Sequence, residues 1–132
     1  MNKVVAHCHD GYVMKGITND FLPTKDRFHL VLAGSQPGTK PLEVPFSTLK
    51  AIFFVHDLEG KPEYRKSNAF DPDRLQASKK IRIVFKDGEV MVGTTNGYQP
   101  GRPGFFVVPV DQGSNNERCF VVSAATKEIT LF

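Results

Sequence analysis

The chain has 132 residues, a formal net charge of +3, 40% hydrophobic and 23% charged residues, and two cysteines. This apolar fraction suits a packed core and excludes wholesale disorder, and no apolar run approaches the roughly 20 residues that a membrane helix needs. The N-terminal residues do not form the apolar segment of a secretory signal. Two cysteines are too few for a disulfide scaffold, so we expect a cytoplasmic protein with no membrane contact.

The sequence repeats itself at an offset of 77 positions. Residues Lys3–Phe54 align without a gap on Lys80–Leu131, with 14 identities in 52 pairs, where ordinary composition gives about 3 or 4. The repeat predicts a tandem duplication with a first unit at 1–54, a linker at 55–78 and a second unit at 79–132. Within the linker, Asp71 followed by Pro72 predicts the start of a short helix.

Each copy reads as five short strands. Asp10-Gly11 and Asp87-Gly88 separate alternating segments and predict two-residue hairpins of type I′, in which both central residues have positive φ. The returning strands carry Gly16 and Gly93 at equivalent places, which indicates a bend, a bulge or a close approach of backbones. The predicted strands are 3–9, 12–19, 28–33, 42–46 and 51–55, then 80–86, 89–96, 105–110, 119–123 and 128–132.

Alternation assigns one face of these strands to the core. In the first copy that face takes Val4, Ala6, Cys8, Val13, Phe28, Leu30, Leu42, Val44, Phe46, Ile52 and Phe54. The second copy also has apolar residues on its other face, including Phe106, Phe120 and Val122, where the first copy has His29, Glu43 and Pro45. This extra apolar face should be buried against the other unit, a dimer mate or a ligand.

The order of a strand, Asp-Gly, a strand bent at glycine, a Phe-x-Pro loop and the ending 45–54 resembles the Sm-like and SH3-like small barrels. The whole chain is similar to an uncharacterised bacterial family of tandem small-barrel domains with no assigned activity, in which stretches like Pro103-Gly104-Phe105-Phe106 and 114–118 recur. The resemblance implies an all-β fold of two tandem five-stranded barrels packed together. It implies no chemistry, because the RNA-binding loops of Sm proteins and the cyclic di-GMP motifs of PilZ domains do not occur in this sequence.

No catalytic motif is present, and we expect a protein that is not an enzyme and binds no cofactor. His7 and His9 flank Cys8 on alternate faces of a strand, so the three cannot converge on one metal ion. A weak surface metal site at His7, His9 and His29 is the alternative, against the expectation of no metal site. Cys8 and Cys119 are both assigned to core positions.

The candidate interaction residues belong to the second copy: Phe106, Phe120, Val122, Arg102, Asn115, Asn116, Glu117 and Arg118. We predict a non-enzymatic binding or regulatory module that contacts another protein through exposed strand edges or through the extra apolar face. A homo-oligomer is also compatible with this interpretation. One alternative is nucleic-acid binding by the basic residues Lys79, Lys80 and Arg82. The other is a sensor of a small anionic ligand, such as a nucleotide, held by Arg102 and Arg118.

Overall fold

The computed structural model is all-β, and among the residues it describes the strands are accompanied by turns and by two single turns of 3₁₀ helix. It describes residues 2–56, 58, 79–96, 98–110 and 116–132, with the side chains of 116 and 117 left out. The short 3₁₀ turns are Phe46–Thr48 and Ser123–Ala125. The ten strands are β1 Asn2–Cys8, β2 Val13–Thr18, β3 Arg27–Leu32, β4 Leu42–Pro45, β5 Leu49–Val55, β6 Lys79–Phe85, β7 Val90–Thr95, β8 Gly104–Pro109, β9 Asn116–Val122 and β10 Thr126–Leu131.

The strands form one open antiparallel sheet in the order β10-β6-β7-β8-β9-β5-β1-β2-β3-β4. We call β1–β5 the N-terminal half and β6–β10 the C-terminal half. Both halves have the same internal order, with the fifth strand beside the first. The expectation of two barrels needs correction here, because the sheet does not close and β5 pairs directly with β9 across the halves.

The prediction of five strands in each copy is confirmed, with ends that differ by a few residues. The type I′ hairpins are wrong, because Gly11 and Gly88 have positive φ and no described non-glycine residue does. In the first turn, the N–H of Cys8 donates to the carbonyl of Tyr12, and the N–H of Gly11 donates to the carbonyl of Cys8. Phe85, Glu89 and Gly88 repeat this pattern. The connection is therefore a three-residue loop whose last residue is a left-handed glycine.

Two hydrophobic cores lie on opposite sides of the central strands β5 and β9. Ile52 and Phe54 of β5 belong to the core of the N-terminal half, whereas Ala51 belongs to the other core and Phe53 packs against it. On β9, Phe120 and Val122 face the first core, and Cys119 and Val121 face the second. A strand that is buried on both faces reads as a continuous apolar run, which explains the composition of β5 and β9.

Most of the core residues predicted for the first copy are buried, with two clear exceptions. Val13 and Leu42 are each 42% exposed, and Met14 takes the place of Val13 in the core. The three-residue turn causes this change, because it pairs Met14 with buried Ala6. Alternation counted from a two-residue turn puts the wrong residue of β2 inside.

The predicted linker begins one residue too early, because Val55 is still part of β5. The short helix predicted from Asp71 lies outside the described residues. Over the part of the chain that is described, no helix has the length and apolarity needed to cross a bilayer.

Candidate functional site

The three apolar candidates lie at the joint between the halves. Phe120 is fully buried, Val122 is buried, and Phe106 packs against the same core, which is that of the N-terminal half. Of the three coverings predicted for this face, the structure shows the other unit of the same chain. Phe120 and Val122 are therefore not exposed for contact with a second protein.

Phe21, in the loop between β2 and β3, organises the aromatic side chains around this joint. Its ring lies 5.1 Å from Phe120, 5.2 Å from Phe54 and 6.1 Å from Phe106, measured between centroids. All three pairs are close to edge-to-face, the arrangement that the quadrupoles of aromatic rings favour. The sequence predicted a loop at this phenylalanine and gave no indication that it would link the two halves.

Arg118 of β9 lies opposite Phe54 of β5. Its guanidinium carbon lies 4.5 Å from the ring centroid of Phe54 and 4.5 Å from that of Phe106. The cation therefore covers two rings at the joint, an interaction worth about 0.5–1 kcal/mol at an exposed site. The side chains of Asn116 and Glu117 are not described, and Asn115 lies outside the described residues.

Arg102 lines a cavity of about 350 Å³ beside β7 and β8. Two of the other predicted residues, Phe106 and Phe120, line the same cavity. The structure therefore brings three of the candidates together, and it places Arg118 on Phe106. The cavity is also lined by Pro23, Thr94, Thr95, Asn96, Gly104, Phe105 and Val108.

The equivalent place in the N-terminal half holds charged residues. Arg27 forms ion pairs with Asp26 and Glu43, and His29 Nδ1 lies 2.6 Å from Asp20 Oδ2. Partial burial raises the pKa of Asp20, but hydrogen bonds from the backbone and ring of His29 outweigh it, and the pKa lies below its ordinary value. The two halves thus differ most strongly where the Arg102 cavity is found.

A second cavity, of about 420 Å³, lies between the two 3₁₀ turns. Lys50 and Asp87 line it, with Lys50 Nζ 2.7 Å from Asp87 Oδ2. Glu89 is a second carboxylate partner of Lys50. Burial lowers the pKa of Lys50, but its hydrogen bonds to both carboxylates outweigh this and leave the pKa raised. Lys50 and Asp87 are therefore paired with each other at this cavity, which Lys86 also lines.

The sheet has two outer strands, β4 and β10, and their free edges differ. The N–H of Phe46 donates to the carbonyl of Asp26, the residue just before β3. Glu43 and Pro45 therefore turn their backbone groups away from β3. Pro45 has no N–H to offer, which blunts the edge. Sequence reasoning named exposed strand edges as a contact surface without separating the two.

The edge of β10 keeps its donors and acceptors. Because the N–H of Phe132 donates to the carbonyl of Lys80 in β6, Ile129 and Leu131 direct their N–H and C=O groups outward. No strand in the described part of the sheet lies on that side. Leu131 is 41% exposed, whereas its equivalent in β5, Phe54, is 3% exposed beneath β9.

The basic residues of the nucleic-acid alternative lie on β6. Lys80 and Arg82 fall on its outer face, opposite the buried Ile81 and Ile83, and Lys79 falls on the other face at the strand end. The three positive charges are thus divided between two faces. Over the described positions, no three metal-ligating side chains come together, whether His7, His9 and His29 or others.

The fold and these surfaces define a class of protein: an all-β chain in which two five-stranded halves share one sheet and a pair of central strands. The chain belongs to a family of unknown function, DUF6982, whose model matches residues 1–132. The expected membership of an uncharacterised family with no assigned activity is confirmed, and the tie to the Sm-like and SH3-like barrels stays a prediction. No curated protein and no solved structure matches the chain.

Proposed function

We propose that the protein is a non-enzymatic binding module that takes up an extended segment of another protein along the free edge of β10. The observation that carries this proposal is the difference between two equivalent strands. Strand β5 is covered by β9. Strand β10, 77 positions later, has the same place in its half, and no strand among the described residues covers its outer edge. Strand addition of this kind gains affinity from backbone hydrogen bonds and specificity from alternate side chains.

The β5–β9 pair serves as a template for the complex. In it, Ile52 lies opposite Phe120 and Phe54 lies opposite Arg118 in an antiparallel register. An equivalent strand on β10 would lie opposite Ile129 and Leu131. Covering these two side chains removes apolar surface from water, which favours binding by about 25 cal/mol for each Å² buried.

The charges at β10 indicate the partner's chemistry. Lys50 of β5 is held by two carboxylates from the other half. Lys127 is the equivalent residue, and it is exposed with no carboxylate partner among the described residues. The segment that fits therefore alternates apolar residues and brings a carboxylate toward Lys127, and a partner of the opposite charge would be disfavoured.

The edge of β4 argues against a second possibility, in which β10 of one molecule pairs with β4 of the next and the molecules polymerise end to end. The β5–β9 joint, repeated between molecules, would pair β10 with β4 of a second copy. In β9 the outward N–H groups come from Phe120 and Val122, whereas the equivalent residues of β4 are Glu43 and Pro45. A proline at this place removes a donor that the joint uses, so β4 is a poor partner for β10.

The experiment replaces Leu131 by proline. The N–H of Leu131 faces outward, so Leu131→Pro removes an edge donor while the pairing with β6 stays in place. Glu43→Pro is the matched control, since it removes an outward N–H from the other edge. A photo-reactive phenylalanine analogue in place of the exposed Phe132, directly after β10, then reports what lies against this strand in a native cell extract.

We expect a protein cross-linked to β10 through an extended segment, lost in Leu131→Pro and retained in Glu43→Pro. Cross-linking that is equal in the two variants would overturn the proposal. The purified chain could instead self-associate in sedimentation experiments, with Leu131→Pro alone abolishing the association. That result would overturn the proposal of a different protein as partner, and would show that a second copy of the chain occupies the β10 edge.

We also infer that the chain arose by tandem duplication of a five-stranded unit of the Sm-like and SH3-like type, with the joint between β5 and β9 formed afterwards. The ungapped offset of 77 and the equal strand order in the two halves support this inference. A bacterial cytoplasmic location is part of the proposal and is supported by two cysteines that are both free thiols.

A further inference from the structure

The cavity at Arg102 has apolar walls and a polar rim. Phe105, Phe106, Val108 and Phe120 belong to its lining. Phe105 and Phe120 are buried, and Phe106 and Val108 are partly exposed. The polar residues of the lining are Thr94, buried Thr95, Asn96 and the cation Arg102. Its 350 Å³ falls at the lower end of the range of about 300–1,000 Å³ typical of small-molecule sites, which are lined in this way.

Three substitutions between the halves make this space. Gly104, Phe106 and Phe120 stand where the N-terminal half has Arg27, His29 and Glu43. A Cβ on Gly104 would lie 2.4 Å from the ring of Phe120, so only glycine lets this ring take its position. The C-terminal half therefore has a small apolar site where the N-terminal half has a charged network.

The positive charge of Arg102 is not neutralised by any carboxylate in the described part of the chain. This contrasts with Arg27, which has two carboxylate partners. A guanidinium beside apolar walls binds a carboxylate or phosphate through paired N–H donors, and such charge-assisted bonds are about twice as strong as neutral ones.

We propose that this cavity binds a small molecule in which a flat aromatic ring carries one anionic group, with the ring against Phe106 and Val108 and the anion on Arg102. The hydroxyl of Thr95 donates to the carbonyl of Phe106 at 2.8 Å, which fixes the wall beside the ring. Arg118 is not part of this site, because its guanidinium is stacked on Phe54 and Phe106. The proposal is independent of strand addition at β10.

Four probes test whether binding needs the aromatic ring, whether it needs the negative charge, and whether that charge is a carboxylate or a phosphate. 2-Naphthoate presents a ring with a carboxylate, and adenosine monophosphate presents a ring with a phosphate. 2-Naphthamide keeps the ring without the charge, and inorganic phosphate keeps a charge without the ring. Binding is followed by thermal shift and by the amide signals of Gly104 and Thr95 in ¹H–¹⁵N spectra.

The variants use matched positions 77 residues apart. Arg102→Gln removes the cation, and Lys25→Gln is its control in the N-terminal half. Val108→Glu puts a negative charge at the outer wall, and Val31→Glu is the control at the equivalent position. Both valines are partly exposed, so each variant keeps its core.

We expect saturable binding of 2-naphthoate or adenosine monophosphate, with shifts at Gly104 and Thr95. Arg102→Gln should weaken it by about tenfold to a hundredfold, Val108→Glu should abolish it, and both controls should leave it unchanged. The stronger of the two probes identifies carboxylate or phosphate as the source of the charge.

Binding of neither at millimolar concentration would overturn the proposal, as would equal binding of 2-naphthamide or unaltered affinity in Arg102→Gln. Leu131→Pro should bind like the wild type, which separates this site from β10.

Discussion

Lys50 Nζ lies 2.7 Å from Oδ2 of Asp87, and this contact ties β5 of the N-terminal half to the β6–β7 turn of the C-terminal half. The same ammonium lies 4.7 Å from the ring centroid of Phe85 and binds Glu89 as well. Its side chain is 12% exposed. Lys127, its equivalent in the C-terminal half, is exposed on the edge strand β10. The two equivalent lysines therefore differ, because Lys50 joins the halves and Lys127 faces solvent.

This relationship predicts unequal effects of the same substitution at two equivalent positions. Lys50→Met keeps the aliphatic stem and removes the charge that holds two half-exposed carboxylates, and we expect it to lower the free energy of unfolding by about 1 kcal/mol. Lys127→Met should change it by less than about 0.5 kcal/mol. Urea unfolding at neutral pH measures both, and equal effects would show that the contact across the halves contributes no stability.

The contact between Lys50 and Asp87 also makes the free energy of unfolding depend on pH in the acid range. The hydrogen bond from Lys50 holds the pKa of Asp87 below its ordinary value of 3.8. Below that ordinary value the unfolded chain binds protons that the folded chain does not, so the contribution of Asp87 is present above 3.8 and lost as the pH falls through the folded pKa. Urea midpoints measured from about pH 6 to about pH 2 should therefore converge for the wild type and Lys50→Met at the acid end. A difference that persists there would contradict the assignment to Asp87.

A substitution at Gly93 should lower the stability of the fold because a side chain has no room there, and not because the backbone conformation requires glycine. A Cβ at this position would lie 2.4 Å from the carbonyl oxygen of Val108 and 2.6 Å from Cγ1 of Val107. Because backbone is one of the obstacles, β7 and β8 must separate, and Gly93→Ala should cost about 2–3 kcal/mol in chemical unfolding.

The control for Gly93→Ala is Gly38→Asn. Nothing lies within 4 Å of a Cβ at Gly38, and its φ of 86° is a conformation that asparagine tolerates. We expect a change within about 1 kcal/mol. If the two variants are equally stable, the close approach of β7 and β8 is not what requires glycine at position 93.

The strands of this protein could be predicted because they depend on local information. Alternation and the offset of 77 place all ten within a few residues, and the paired glycines Gly16 and Gly93 mark a close approach in both halves. The pairing of β5 with β9 could not be predicted, because it joins residues such as Ile52 and Phe120 that are far apart in the chain. Only the apolar second face of β9 indicated that something covers it.

The same distinction applies to the candidate site: its residues could be predicted from local sequence features, and their contacts with one another could not. Arg102, Phe106 and Phe120 were singled out one by one, from loop chemistry and from an excess of apolar residues. Their meeting in one cavity depends on the curl of β7 and β8 and on the absence of a side chain at Gly104. The open edge of β10 likewise depends on which strands become neighbours, although Pro45 in β4 is a local clue to the blunted edge.

Phe120 offers the sharpest test of whether the two halves fold as one unit. It belongs to β9 of the C-terminal half, yet it is fully buried in the core of the N-terminal half, with ring centroids of Phe21 and Phe46 at 5.1 Å and 5.4 Å. Phe120→Ala should therefore cost about 3–5 kcal/mol, and Phe120→Asp should prevent folding. Val108→Ala, at a partly exposed position of the neighbouring strand, should cost less than about 1 kcal/mol.

The pattern of hydrogen exchange in Phe120→Ala distinguishes one cooperative unit from two. Because β5 and β9 each contribute to both cores, weakening one core should lower protection in β1 and β5 as much as in β6 and β8. Exchange measured by mass spectrometry on peptides from each half, with Val108→Ala as the reference, checks this. Loss of protection confined to either half alone would show that the halves unfold separately, and that the β5–β9 pairing joins two independent folding units.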